Sequence, residues 1–137
     1  MPARSSYDYA LVRVVPRVER AEFINAGAIV HCRDRRYLGA RVALDRRRLL
    51  SLCPDLSLGQ LDEIEQHLQS FVAIAAGGDA AGPIGLLPAT ERFHWLVAPR
   101  STIVQTSPVH AGLCDEPDAA LGDLVERLVL TPAPTGG

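Results

Sequence analysis

Apolar residues dominate three stretches in the first third of the chain, in the manner of strands. Residues 7–16, YDYALVRVVP, are aromatic and β-branched and stop at Pro16. A charged connection over 17–22, RVERAE, leads to a second run at 23–32, FINAGAIVHC. Gly27, in the middle of that run, predicts a bulge or a close approach by another backbone. The polar RDRR at 33–36 predicts a turn, and a third strand follows from Tyr37 to Leu44. Short connections between consecutive strands predict an antiparallel meander.

The period of the pattern then changes. Asp45 is expected to cap a short helix that runs to Leu52 and breaks before Pro54. Ser57 and Gln60 have the spacing of a capping box. Behind them Leu58, Leu61, Ile64, Leu68, Phe71, Val72 and Ala75 fall on one helical stripe, with Asp62, Glu63, Gln66 and Gln69 opposite. Gly77-Gly78 should end this helix, because glycine tolerates the left-handed cap. The glycine-rich stretch 77–88 reads as a loop. Residues 90–97, TERFHWLV, predict a short helix opened by Thr90 and closed before Pro99, and 102–106, TIVQT, predict a fourth strand.

Pro117 suits the first turn of a last helix. Asp115, Glu116 and Asp118 lie near its positive end, and Leu121, Leu124, Val125 and Leu128 form its apolar stripe. The tail at 131–137 is expected to be flexible. The sum is one α+β domain over 7–130. It should be a small antiparallel sheet of about four strands, a three-strand meander plus one later strand, with helices packed on one face.

Composition narrows the function classes. A chain of 137 residues with 47% hydrophobic and 22% charged positions folds as an ordinary globular domain and needs neither disulfide nor metal. Its net charge of −2 gives no global pull toward nucleic acid. No helix-turn-helix, zinc-finger or aromatic stacking pattern appears, so nucleic-acid binding is not expected. Cys32, Cys53 and Cys114 form no CxxC pair, which fits a reduced, cytoplasmic compartment. His31, His67, His94 and His110 fall on four different elements, so no metal site is expected. No apolar run approaches the ~18 residues of a membrane span. Nucleophile elbow, phosphate loop, dinucleotide fingerprint and zinc-protease motifs are missing, and no cofactor is implied.

Candidate chemistry concentrates in 98–110, APRSTIVQTSPVH. Arg100 offers a planar fork, Ser101, Thr102, Thr106 and Ser107 offer hydroxyls, and Gln105 and His110 could orient a ligand or move a proton. Pro99 and Pro108 stiffen the ends. Arginine beside hydroxyls and free amides suits phosphate or carboxylate. Arg13 in the first strand, with Asn25 and Gly27 in the second, is expected to share one hollow with Arg100, floored by backbone at Gly27. As an alternative, the same stretch reads as a small hydrolase or transferase, with His110 as base and Arg100 stabilising developing negative charge. The blander reading of these residues is strand ends and turns in which Ser and Thr bond to local backbone.

All 14 basic residues are arginine. Half of them, Arg33, Arg35, Arg36, Arg41, Arg46, Arg47 and Arg48, fall between 33 and 48. Arg46 to Arg48 open a helix, where the dipole disfavours cations, and this conflict hints at a bound anion or an acidic partner. Acidic residues cluster at 62–65 and 115–126, so association between copies through opposite patches is a further expectation.

The stretches YDYALVRVVPRVERAEFINAGAIVHC and ERFHWLVAPRSTIVQTSPVHAGL resemble an uncharacterised bacterial family, domain of unknown function 3037 (DUF3037). The resemblance covers about residues 7 to 130. It implies a small single-domain protein of the bacterial cytoplasm. Through neighbouring genes, it also implies an accessory subunit or substrate of a HipA-like kinase. It assigns no catalytic or binding residues. The reading is therefore a non-enzymatic module that binds a protein partner or a small anion through Arg13, Asn25, Arg100, Ser101, Thr102, Gln105 and His110.

Overall fold

The structure is a computed structural model that describes residues 4–130; the 131–137 tail lies outside the described residues. Its sheet is built around β1 (Ser5–Val14), whose alternate residues Ala10, Val12 and Val14 are fully buried. β2 (Ile24–Cys32) pairs antiparallel with one edge of β1, and β3 (Tyr37–Val42) pairs antiparallel with β2. This is the expected meander. On its other edge β1 pairs antiparallel with two short strands, β4 (Val104–Thr106) beside its second half and β5 (His110–Cys114) beside its first half. The order is β3-β2-β1-β4, with β5 continuing the β4 edge.

β5 is a fifth strand that the sequence pattern does not announce, because HAGLC carries one large apolar residue and that residue is exposed. Its place is fixed by β1: Tyr9 pairs with His110 and Ser5 with Cys114. The break between β4 and β5 falls at Ser107-Pro108, where proline cannot donate to a ladder.

The β1–β2 ladder skips one residue. Val12 pairs with Gly27 and Arg13 with Asn25, so Ala26 is the extra residue of a bulge. Gly27 also meets the second expectation, a close approach. A Cβ there would stand 2.7 Å from the Arg41 carbonyl oxygen and 2.8 Å from a Val42 methyl. β3 thus fills the space that was expected to be a hollow floored by backbone.

The helices begin and end where capping chemistry allows. α1 (Arg46–Leu52) is capped by Asp45, whose carboxylate accepts from the Arg48 amide. α2 (Leu58–Ala76) opens with the reciprocal capping box of Ser57 and Gln60. It buries Leu61, Ile64, Leu68, Phe71, Ile74 and Ala75, while Leu58 remains exposed. The expected loop after it contains a 3-10 turn (Asp79–Ala81) and the one-turn α3 (Gly82–Gly85). Next come α4 (Ala89–Val97) and, after β5, α5 (Pro117–Leu128).

Residues of α1, α2 and α4 pack with Val12, Val14, Ile24, Ile29, Ala40 and Val104 in the main core. α5 lies on the opposite face, where Leu121 and Leu124 pack on Ala28 and Val30, flanked by Tyr7, Tyr9, Leu11 and Tyr37. The α+β class and the antiparallel sheet are as expected. Helices cover both faces rather than one, because Ala28 and Val30 give β2 a second apolar face.

Arg92 of α4 joins two helices. Its guanidinium donates to the carbonyls of Ile74 (2.9 Å) and Ala75 (3.3 Å) at the end of α2, and to that of Leu87 (2.6 Å). It satisfies carbonyls that a helix end leaves without partners.

Candidate anion-binding site

Strand register settles where the predicted site residues stand. Arg13 pairs with Asn25 on one side and with Gln105 on the other, so these three form a row across β2, β1 and β4. They face the α5 side. The Arg13 guanidinium lies 4.1 Å from the centre of the Phe23 ring. Asn25 donates to the Leu128 carbonyl (3.1 Å), and Gln105 donates to the Thr102 carbonyl (2.8 Å). Arg13 Nε and Asn25 Oδ1 are buried without a hydrogen-bond partner among the described residues.

Arg100 stands on the other side of the sheet. Its guanidinium lies 4.8 Å from the centre of the Trp95 ring and 5.1 Å from that of Phe71, and it donates to the Trp95 carbonyl at 2.7 Å. Burial lowers the pKa of this guanidinium. Phe71 belongs to the core between the sheet and α2, whereas Arg13 faces α5. The expected common hollow of Arg13 and Arg100 therefore does not form, because the sheet separates the two groups. Sequence spacing could not show this, since it depends on which face each residue takes.

The other members of the 98–110 stretch are spread out as well. Ser101 is exposed, and the Thr102 hydroxyl donates to the Val104 carbonyl (2.8 Å) as a turn contact. His110 is exposed, its ring 5.4 Å from that of Tyr9 on the Arg13 side of the sheet, and so away from Arg100. The Ser107 hydroxyl accepts from the Leu11 amide and donates to the Pro108 carbonyl. No base, hydroxyl and guanidinium from this stretch converge on one point.

The arginines between 33 and 48 divide into those the fold uses and those it leaves available. Arg46 bridges Asp62 and Glu65 of α2, each at 2.8 Å, and holds the Glu65 carboxyl below the usual carboxylate range. Asp45 caps the same helix, so the conflict at the start of α1 is resolved within the chain. Arg41 pairs with Asp118 of α5 at 3.0 Å. The Tyr37 hydroxyl donates to the same carboxylate at 2.8 Å. That bond holds the Asp118 carboxyl low, while burial, then Asp118, raises the Tyr37 phenol.

Arg33 and Arg36 are different. Neither makes a hydrogen bond or ion pair with its side chain among the described residues. They stand at the two ends of the β2–β3 turn, where the Arg36 amide donates to the Arg33 carbonyl. Arg36 has φ +51°, in the left-handed region that arginine rarely adopts. Both line a cavity of about 340 Å³ together with His31, Tyr37, Pro88, Ala89 and Thr90.

The opposite wall of that cavity is the start of α4. Its N-cap residue is Pro88, which supplies no side-chain hydrogen bond. Thr90, expected to open the helix, sits inside the first turn instead. The amides of Ala89, Thr90 and Glu91 therefore have no acceptor among the described residues, while the Arg92 amide makes the first regular bond, to the Pro88 carbonyl. Such amides, at the positive end of the helix dipole, attract anions. Glu91 shares this turn, is exposed, and does not line the cavity.

His31, at the end of β2, is the buried member of the wall, with 5% of its surface exposed. Its ring lies 4.9 Å from that of Phe93 in α4, and its side chain makes no hydrogen bond among the described residues. Burial, chiefly, lowers its pKa; Arg33 and His94 act in the same direction, and Asp8 opposes them. The cavity thus unites two guanidinium groups and an imidazole that have no hydrogen-bond partner among the described residues with Ala89 and Thr90 of an uncapped helix start. In the sequence RDRR reads as a turn within an arginine cluster. That pattern does not say which helix start faces it.

No curated protein and no solved structure matches the chain. The description "Protein of unknown function (DUF3037)" belongs to the family that matches residues 9–129, from the centre of β1 to just beyond α5. That span holds every residue of the cavity, and the chain belongs to the DUF3037 family.

Proposed function

We propose that the chain is a non-enzymatic binding module whose ligand presents an anionic group to the cavity between the β2–β3 turn and the start of α4. The observation that carries this reading is the pairing of Arg33 and Arg36, both without partners among the described residues, with a helix start whose amides have no cap. An anion seated between two guanidinium groups that make no ion pair among the described residues gains charge-assisted hydrogen bonds from both. A volume of about 340 Å³ suits a small ligand or one side chain of a partner protein. An accessory role toward a HipA-like kinase, which the family resemblance implies, is one setting for such a module. Arg13, Asn25, Gln105 and Arg100 are read as structural, since each is engaged by its own neighbours.

The test is thermal unfolding at low ionic strength with inorganic phosphate or sulfate added. Binding to the folded state alone stabilises by about 2.7 kcal/mol at a hundredfold excess over Kd. The anion should raise the melting temperature of the unaltered chain and of Arg46→Gln. It should leave Arg33→Gln/Arg36→Gln unchanged. An equal shift in all three proteins refutes the reading.

A further inference from the structure

Resting on that anion-binding reading, the chemistry of the cavity also narrows the class of anion. Donors reach it from three directions: the end of β2 through His31, the turn through Arg33 and Arg36, and the first turn of α4 through its amides and Thr90. A planar carboxylate has two oxygens whose acceptor sites all lie in one plane, and a single guanidinium fork already engages both oxygens. A phosphate monoester has three terminal oxygens pointing apart, and it is close to dianionic at pH 7. Its fourth oxygen carries a carbon substituent. Pro88, Ala89 and the Tyr37 ring supply apolar wall for that substituent.

His31 supplies the distinguishing feature. The charged and titratable groups around it are Asp8 of β1, its cross-strand partner; Arg33, Asp34 and Arg36 of the turn; Tyr7 and Tyr37 of the flanking strands; and His94 of α4, next to the Phe93 ring. Without a ligand, burial chiefly opposes a proton on the imidazole, Arg33 and His94 act with it, and Asp8 acts against it. A dianion placed between Arg33, Arg36 and the helix start reverses that balance, because a nearby negative charge favours the protonated ring. The protonated imidazole then gains a hydrogen-bond acceptor among the ester oxygens.

We propose that the cavity takes a phosphate monoester, gripped by Arg33, Arg36 and the first-turn amides of α4, and that His31 takes up a proton from solvent as it binds. The shared chemistry is the ester phosphate, whether on a small metabolite or on a phosphorylated side chain of a protein.

Isothermal titration of the chain at pH 7 tests this in two buffers of different ionisation enthalpy. The probes are glycerol phosphate, a short phosphoserine peptide, methyl sulfate and succinate. Expected are at least tenfold tighter binding of the two phosphate esters than of methyl sulfate or succinate, and an enthalpy that changes with buffer as proton uptake requires. Whichever ester binds more tightly identifies the source. His31→Asn should abolish the buffer dependence, and Arg36→Gln, in an exposed turn, should weaken ester binding at least tenfold even if His31→Asn fails to fold. Equal binding of ester, sulfate and carboxylate, or an enthalpy independent of buffer, overturns this inference and leaves the anion-binding reading standing. If no anion binds, both fall.

Discussion

The Leu11 amide donates to the Ser107 hydroxyl at 2.8 Å, and the Ser107 amide donates to the Leu11 carbonyl at the same distance. One serine thus satisfies both backbone groups of a central-strand residue at the point where the sheet edge changes from β4 to β5. Ser107→Ala keeps the second bond and strands the Leu11 amide. A buried donor left unpaired costs roughly 1–3 kcal/mol, and urea unfolding should show a loss of that size. A loss below about 0.5 kcal/mol would mean that water replaces the hydroxyl.

Arg92→Met retains the apolar stem and removes the guanidinium that binds Ile74, Ala75 and Leu87. Hydrogen bonds to charged groups contribute about 1.5–3 kcal/mol each, and not additively, so a total loss of about 2–4 kcal/mol is expected. Hydrogen exchange should speed up first at the end of α2. By contrast, the Arg46 pairs lie at the surface, where solvent screens them, and Arg46→Gln should move the unfolding midpoint only slightly.

Gly27→Ala drives a methyl group against the Arg41 carbonyl and Val42, in a core with no room to yield. Overpacking of this kind costs typically 1–3 kcal/mol. The variant should unfold at lower denaturant, and loss of β2–β3 amide protection should accompany it.

Arg36 holds a left-handed backbone conformation that costs a non-glycine residue about 1–2 kcal/mol. Arg36→Gly should therefore be neutral or more stable by up to about 1 kcal/mol, while losing affinity for phosphate. Stability and binding measured on the same sample should move in opposite directions. A variant that loses both would assign Arg36 a structural role instead.

Burial lowers the pKa of His31 and of His67 below the ordinary value near 6.5. The unfolded chain then takes up protons more readily than the folded one. Stability from this source is complete above about pH 6.5 and falls as the pH drops from there toward the folded values. His31→Asn should flatten the stability profile below about pH 6.5, with His67→Asn flattening it further. Added phosphate ester should oppose the acid-side loss in the unaltered chain and in His67→Asn, but not in His31→Asn.

Local signals in the sequence were enough for most elements. The capping box at Ser57, the cap at Asp45 and Pro117 in a first turn each name a helix start without tertiary information. β5 escaped because its pairing with β1 replaces the apolar pattern that would have marked it. The site was harder to read for a geometric reason. Arg13 and Arg100 carry the chemistry of a pocket, yet strand parity sends one toward α5, and Arg100 packs against Phe71 and Trp95 on the other side. His31, Arg33 and Arg36 were visible as residue types, but the helix start that completes them lies more than fifty residues along the chain, at Pro88. Thr90 pointed to the right helix but to the wrong first residue.

The separation of 96 positions between Leu11 and Ser107 also bears on how the protein is made. While the ribosome is still translating, β1 can meet β2 within a few residues, but its other margin has nothing to bond until codons past 100 are read. For most of synthesis the central strand of the sheet waits with one side unzipped. Non-local closure of this kind is slow and leaves nascent chains prone to sticking. Chains stalled short of β4 should therefore be the ones that chaperones hold longest.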